Sequence, residues 1–181
     1  MLHKGDLTTL FPIPFYRCIV NDYKSIQQEM ETYLDEVDWK MNPQWGNTHY
    51  LSDGYFNDTP PFKSFNEELK IHMSQLFQND YIMTHSWFTL FKENNYAHIH
   101  DHIQTDIAGV YYFQLVEDDK DQAELFFVSP LPNDSSYQSV KAKQGELLLF
   151  PGWLKHGVTT HMSSDDRVSF SFNLKMRQRN D

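Results

Sequence analysis

The chain is short of basic charge, of cysteine and of long apolar runs. Fifteen Lys and Arg stand against 25 Asp and Glu, a formal net charge of −10. Neutralising phosphates takes clustered Lys and Arg, so nucleic-acid binding is not expected. The one visible concentration of base, Lys175, Arg177 and Arg179, reads as a solvated tail. A single cysteine, Cys18, excludes an internal disulfide and fits a reducing compartment. No stretch approaches the eighteen or so apolar residues of a membrane span. The opening MLHKGDLTTLFPIPF lacks the apolar core of a signal peptide. These absences lead to the expectation of a soluble, cytoplasmic protein with no membrane partner. There is also no Gly/Ser linker, repeat or low-complexity tract, so 181 residues are expected to form one domain, 1–181.

The pattern that is present changes near residue 80. Before it, residues 21–39 place Ile26, Met30, Tyr33, Leu34 and Val37 at helical spacing, with Asn21 or Asp22 as a cap. Residues 59–78 open on Thr59 and two prolines, then carry a stripe of Phe65, Leu69, Met73, Leu76 and Phe77. A strand, FPIPFYRCIV, precedes both. From residue 81 to 177 the chain reads as short strands, 82–93, 106–116, 123–129, 145–151, 155–161 and 167–175, separated by turn-rich pieces. Helices first and antiparallel strands later imply an α+β fold. A double-stranded β-helix, the jelly roll shared with cupins, fits this strand count, with the N-terminal helices as support.

Three of the nine histidines fall in YAHIHDHIQ, at His98, His100 and His102. If the stretch is extended, residues two apart share a face, so the three rings point one way and Ile99 and Asp101 the other. Neutral imidazole is a common metal ligand, which makes this face a candidate metal site. A further histidine, His156, starts a strand after the Pro-Gly turn of GELLLFPGWLKHGV, a rigid mount for a ligand. His161 sits at a loop edge with a weaker case. Eleven residues after His156, the strand RVSFSFN divides by twos into an apolar face of Val168, Phe170, Phe172 and Leu174 and a hydrogen-bonding face of Arg167, Ser169, Ser171 and Asn173. Lining a cavity, the second face suits a carboxylate, which a guanidinium takes bidentately with a hydroxyl beside it.

These pieces together resemble the iron(II)- and 2-oxoglutarate-dependent oxygenases. The similar family of bacteria and phages reads roughly H-x-H, S-G-V-Y-Y-L, L-F-P-x-W-L-x-H-x-V and R-x-S-x-S-F-N. Here these stand as HDH (100–102), AGVYYF (108–113), LFPGWLKHGV (149–158) and RVSFSFN (167–173). The resemblance covers about residues 85–175. It implies a non-haem Fe2+ dioxygenase, a hydroxylase that consumes O2 and couples substrate oxidation to decarboxylation of 2-oxoglutarate to succinate and CO2. By position it implies His156 as the late metal ligand, His100 and His102 as early ones, and Arg167 with Ser169 for the far carboxylate of 2-oxoglutarate. Sets using Asp106 or His98 remain alternatives, because the usual His-x-Asp pair does not occur here. The substrate implied is a small molecule or a protein side chain, and a homodimer is an expectation by the same resemblance. Two rival readings stand beside it: a cupin-like metalloenzyme without 2-oxoglutarate, and an inactive jelly-roll binding protein.

The aromatics Trp87, Phe88, Tyr111, Tyr112 and Trp153 are expected in the core, as strand aromatics usually are, with a place in the pocket lining as the other reading. Trp45 lies in a polar, glycine-bearing segment (41–57) read as a surface connection, with a lid over the cavity as the other reading.

Overall fold

The computed structural model describes residues 6–10, 13–41, 43–53, 62–77, 80–116, 119–131 and 133–177, with the side chains of 6–10 and Gln44 left aside. Along the chain these give β1 (Asp6–Leu10), β2 (Ile13–Ile19), α1 (Tyr23–Leu34), β3 (Lys40–Met41), a 3-10 turn (Pro43–Trp45), β4 (Tyr50–Leu51) and α2 (Lys63–Leu76). There follow β5 (Tyr81–Phe91), β6 (Ala97–His100), β7 (Ile107–Gln114), β8 (Leu125–Val128), β9 (Tyr137–Val140), β10 (Glu146–Pro151), β11 (His156–Val158) and β12 (Arg167–Met176). Every pairing is antiparallel. One sheet has the order β1-β2-β10-β7-β12-β5-β4-β3, the other β6-β11-β8-β9.

The period of two decides what each face of the large sheet meets. Val168, Phe170, Phe172 and Leu174 of β12, with Ile107, Tyr111 and Phe113 of β7, point to the face covered by the helices. Ile26 and Met30 of α1, and Phe65, Leu69 and Met73 of α2, close that layer. Phe65 is its pivot, with ring centroids 5.2 Å from Tyr111, 5.2 Å from Phe170 and 5.6 Å from Phe172. Truncating such a buried ring to alanine costs about 3–5 kcal/mol. On the opposite face Phe15, Tyr112, Leu148 and Phe150 pack against Leu125, Phe127 and Val140 of the small sheet. The layers therefore run helices, large sheet, small sheet.

One glycine is required by this packing. Gly109 of β7 is opposite Phe172 of β12, and a Cβ there would lie 2.2 Å from the Phe172 ring.

Several local expectations shift. α1 ends at Leu34, not 39, and Asp22 precedes it with a left-handed backbone (φ 47°) and no side-chain cap. α2 begins at Lys63; the start signal at Thr59 lies outside the described residues. β6 covers only the first part of the stretch 96–104 read as extended, and β9 was missed because four residues, half of them polar, give too little alternation to read. Among the described residues no helix is long and apolar enough to cross a membrane.

Candidate metal centre and its anion-binding wall

Between the two sheets lies a cavity of about 730 Å³, walled by β5, β7, β10 and β12 on one side and β6, β8 and β11 on the other. Two devices bring histidines from distant parts of the sequence into it. The first is strand register: β6 pairs with β11 so that His100 stands directly opposite His156. The second is a clasp around Gly152. The chain leaves β6 after His100 and turns, with the Thr105 N–H donating to the His102 carbonyl (2.8 Å). The His102 N–H donates to the Gly152 carbonyl (2.7 Å), and the Gly152 N–H to the Asp106 carbonyl (3.1 Å). A Cβ on Gly152 would sit 2.3 Å from the Thr105 carbonyl oxygen, so only glycine lets the two turns lie this close.

His100, His102 and His156 each place a ring nitrogen within 4.8 Å of the other two. Each ring is oriented by an oxygen on its other nitrogen. Nδ1 of His100 donates to the His98 carbonyl (2.8 Å), Nδ1 of His156 to the Leu154 carbonyl (2.8 Å), and Nδ1 of His102 to Oδ1 of Asn173 (2.7 Å). Carbonyl acceptors fix the proton on Nδ1 and leave each Nε2 with its lone pair, the arrangement found around metal-bound histidines. Burial, reinforced by the neighbouring rings, lowers the pKa of His156 to about 3; burial also lowers those of His100 and His102. All three are then neutral near pH 7, the form that binds a metal.

Arg167, the first residue of β12, shares the cavity and is 2% exposed. Its guanidinium lies over the rings of Phe91 (4.9 Å) and Tyr112 (5.1 Å). Nε and Nη1 of Arg167 and the hydroxyl of Tyr112 are buried without a hydrogen bond. Burial pulls the Arg167 pKa down and pushes that of Tyr112 up. A buried polar group without a partner costs about 1–3 kcal/mol, and a charged one more. Such unpaired donors at a cavity wall are groups that a bound anion would satisfy. Ser169, two residues on, lines the same wall. The donor set thus fits a divalent metal at the three imidazoles and a carboxylate at the guanidinium.

The other residues sort plainly. His98 is exposed and outside the cluster, contributing its carbonyl to His100. Asp106 accepts from the Met176 N–H (2.8 Å) and pairs with Lys175 (3.3 Å), away from the three rings, so no set including it forms here. Asp101 does not face away as strand alternation would have it: β6 has ended, and Asp101 lines the cavity. His161 is buried, taking a hydrogen bond from the Ala123 N–H (3.1 Å) and giving one to the Asp165 carbonyl (2.7 Å), a structural role. Phe88, Tyr111 and Tyr112 are core, Tyr112 lining the cavity as well, whereas Trp87 lines the cavity and Trp153 is 52% exposed.

Trp45 is not on a plain surface connection. Its ring meets His100 edge-on (centroids 4.6 Å), and Trp87 stacks on His102 (5.9 Å, 14°). His49, which no motif flagged, stacks on Phe91 (5.2 Å, 6°) in the same wall, its pKa lowered to about 4 chiefly by burial.

Residues 85–173 match the family described as "Putative 2OG-Fe(II) oxygenase". No curated protein matches the chain. Among solved structures, the chain is similar to HygX from Streptomyces hygroscopicus with nickel, 2-oxoglutarate and hygromycin B bound: TM-score 0.70, 10% identity, 88% of this chain and 82% of that one. A Pseudomonas putida prolyl-4-hydroxylase gives TM-score 0.61 at 14% identity over 97% and 94%. The viral collagen prolyl hydroxylase of Paramecium Bursaria Chlorella virus-1, in its 2OG complex, gives 0.61 at 10% over 88% and 94%. At these identities the likeness is one of fold, the jelly roll.

Proposed function

We propose that this protein is an iron(II)- and 2-oxoglutarate-dependent oxygenase, a hydroxylase working as a single cytoplasmic domain, whose metal ligands are His100, His102 and His156 and whose co-substrate anchor is Arg167 with Ser169. The family match and the neighbours crystallised with 2-oxoglutarate or iron support the oxidoreductase class and its two cofactors. The observation that carries the finer reading is the pair of unsatisfied buried donors, Arg167 and Tyr112, walling the cavity into which the three Nε2 lone pairs converge. A metal-free binding protein has no use for three rings held in one tautomer. A metalloenzyme without 2-oxoglutarate has no use for the guanidinium.

Bound iron(II), with 2-oxoglutarate and O2, supplies oxidation of an unactivated C–H bond. What the chain does is position and shield. The carbonyls of His98 and Leu154 and the Asn173 amide hold the ring planes, and Phe91 and Tyr112 keep the guanidinium beneath the cavity in a dry setting. That low-polarity setting strengthens the ion pair Arg167 makes with a carboxylate. Phe150, Leu125 and Val158 keep bulk water from the small-sheet side.

Equilibrium dialysis against iron(II) tests the ligand set. His100→Ala, His102→Ala and His156→Ala should each lose iron, and His98→Ala should keep it; equal loss in all four overturns the assignment. Succinate released by the loaded wild-type protein checks the reaction.

A further inference from the structure

The oxygenase reading leaves one charged group of the cavity unused. Of the described residues lining it, only Arg167 and Asp101 carry a formal charge, and Arg167 is taken by the co-substrate. Among the described residues, no hydrogen bond or ion pair reaches the Asp101 carboxylate. A carboxylate serving the metal from outside would hold a ligand's ring N–H. Here all three Nδ1–H groups are given to other oxygens, so the lone pairs of Asp101 are open to a donor that enters the cavity. The histidines that flank it in sequence each have an indole against them, Trp45 edge-on to His100 and Trp87 stacked on His102, and both indoles line the cavity with Asp101. An acid and two indoles is the equipment that holds an ammonium or guanidinium, by ion pair and by cation–π attraction. The cavity, about 730 Å³, exceeds what a five-carbon diacid fills. The net charge of −10 draws cations toward it.

Building on the 2-oxoglutarate reading, we propose that the substrate carries a cationic nitrogen bound by Asp101 between Trp45 and Trp87, with the oxidised C–H bond a short chain away. Zinc(II)-loaded protein with saturating 2-oxoglutarate, titrated with n-pentylammonium chloride and with 1-pentanol and followed by tryptophan fluorescence, tests this. The ammonium should bind at least tenfold more tightly than the alcohol. Asp101→Asn should bring the two within twofold, and Asp101→Glu should keep a preference. No preference in the native protein, or one that survives in Asp101→Asn, overturns the proposal. A preference that survives while zinc affinity falls assigns Asp101 to the metal instead and overturns it too. 2-Oxoglutarate binding is measured separately by calorimetry: its absence refutes the underlying reading, whereas its presence without an ammonium preference refutes only the substrate class.

Discussion

Replacing Arg167 with methionine should leave stability nearly unchanged and weaken co-substrate binding strongly. In the unliganded protein the guanidinium is 2% exposed with Nε and Nη1 unbonded. Exchanging a buried ion for an apolar chain of similar volume is neutral to stabilising, by about 1–4 kcal/mol. Two cation–π contacts, with Phe91 and Tyr112, give back about 0.5–2 kcal/mol each. The two ranges offset each other, so the expected change in stability is within about 1 kcal/mol, or roughly 2–4 °C in Tm for a chain of this size. Binding does change. Hydrogen bonds to a charged partner are worth about 1.5–3 kcal/mol each, so losing two weakens 2-oxoglutarate by about 3–6 kcal/mol, on the order of 10²–10⁴ in Kd. Thermal scans of zinc-loaded protein with and without 2-oxoglutarate read both effects. At a hundred times Kd the ligand adds about 2.7 kcal/mol to the native protein and should add almost nothing to Arg167→Met. A variant less stable than wild type by more than about 2 kcal/mol, or one still stabilised by the ligand, refutes the idea that Arg167 is kept for an anion rather than for stability.

Asn173→Leu should lower metal affinity about 10–100-fold by freeing the His102 ring, read by chelator competition, with Asn173→Asp recovering most of it. Gly152→Ala forces a methyl against the Thr105 carbonyl; it should cost about 1–3 kcal/mol in urea melts and loosen the metal, because the displaced turn carries His102. The metal-free protein should lose stability as pH falls. His156 (pKa about 3) and His49 (about 4) bind protons in the unfolded chain below about 6.5 but not in the fold. Each therefore removes up to about 1.4 kcal/mol per pH unit from 6.5 down to its folded value, and a flat denaturation profile between pH 6.5 and 5 would contradict this.

The parts of this site that were legible in the sequence are those set by strand periodicity. RVSFSFN separates by twos, and the structure sends Phe170 and Phe172 to the helices and Arg167 and Ser169 to the cavity. GELLLFPGWLKHGV gives the late histidine because a Pro-Gly turn after an apolar strand fixes where the next begins. Legibility ends where strands end. Alternation carried past His100 puts Asp101 on the wrong side, since the backbone there follows the hydrogen bonds of a turn rather than a pleat. Tyr111 and Tyr112 look alike in sequence, yet one packs under α2 and the other lies against Arg167. Only the register of β7 against β12 tells them apart. Trp45 and His49 come from a connection whose path depends on long-range contacts, such as the Tyr96 N–H donating to the Thr48 carbonyl (3.1 Å), and no local pattern reports those.

The most direct measurement is an anaerobic titration of the iron(II)-loaded protein with 2-oxoglutarate, followed by visible absorbance. A weak metal-to-ligand charge-transfer band should grow and saturate, disappear in His156→Ala, and need far more 2-oxoglutarate in Arg167→Ala. Iron binding with no band at any concentration of 2-oxoglutarate would contradict the account.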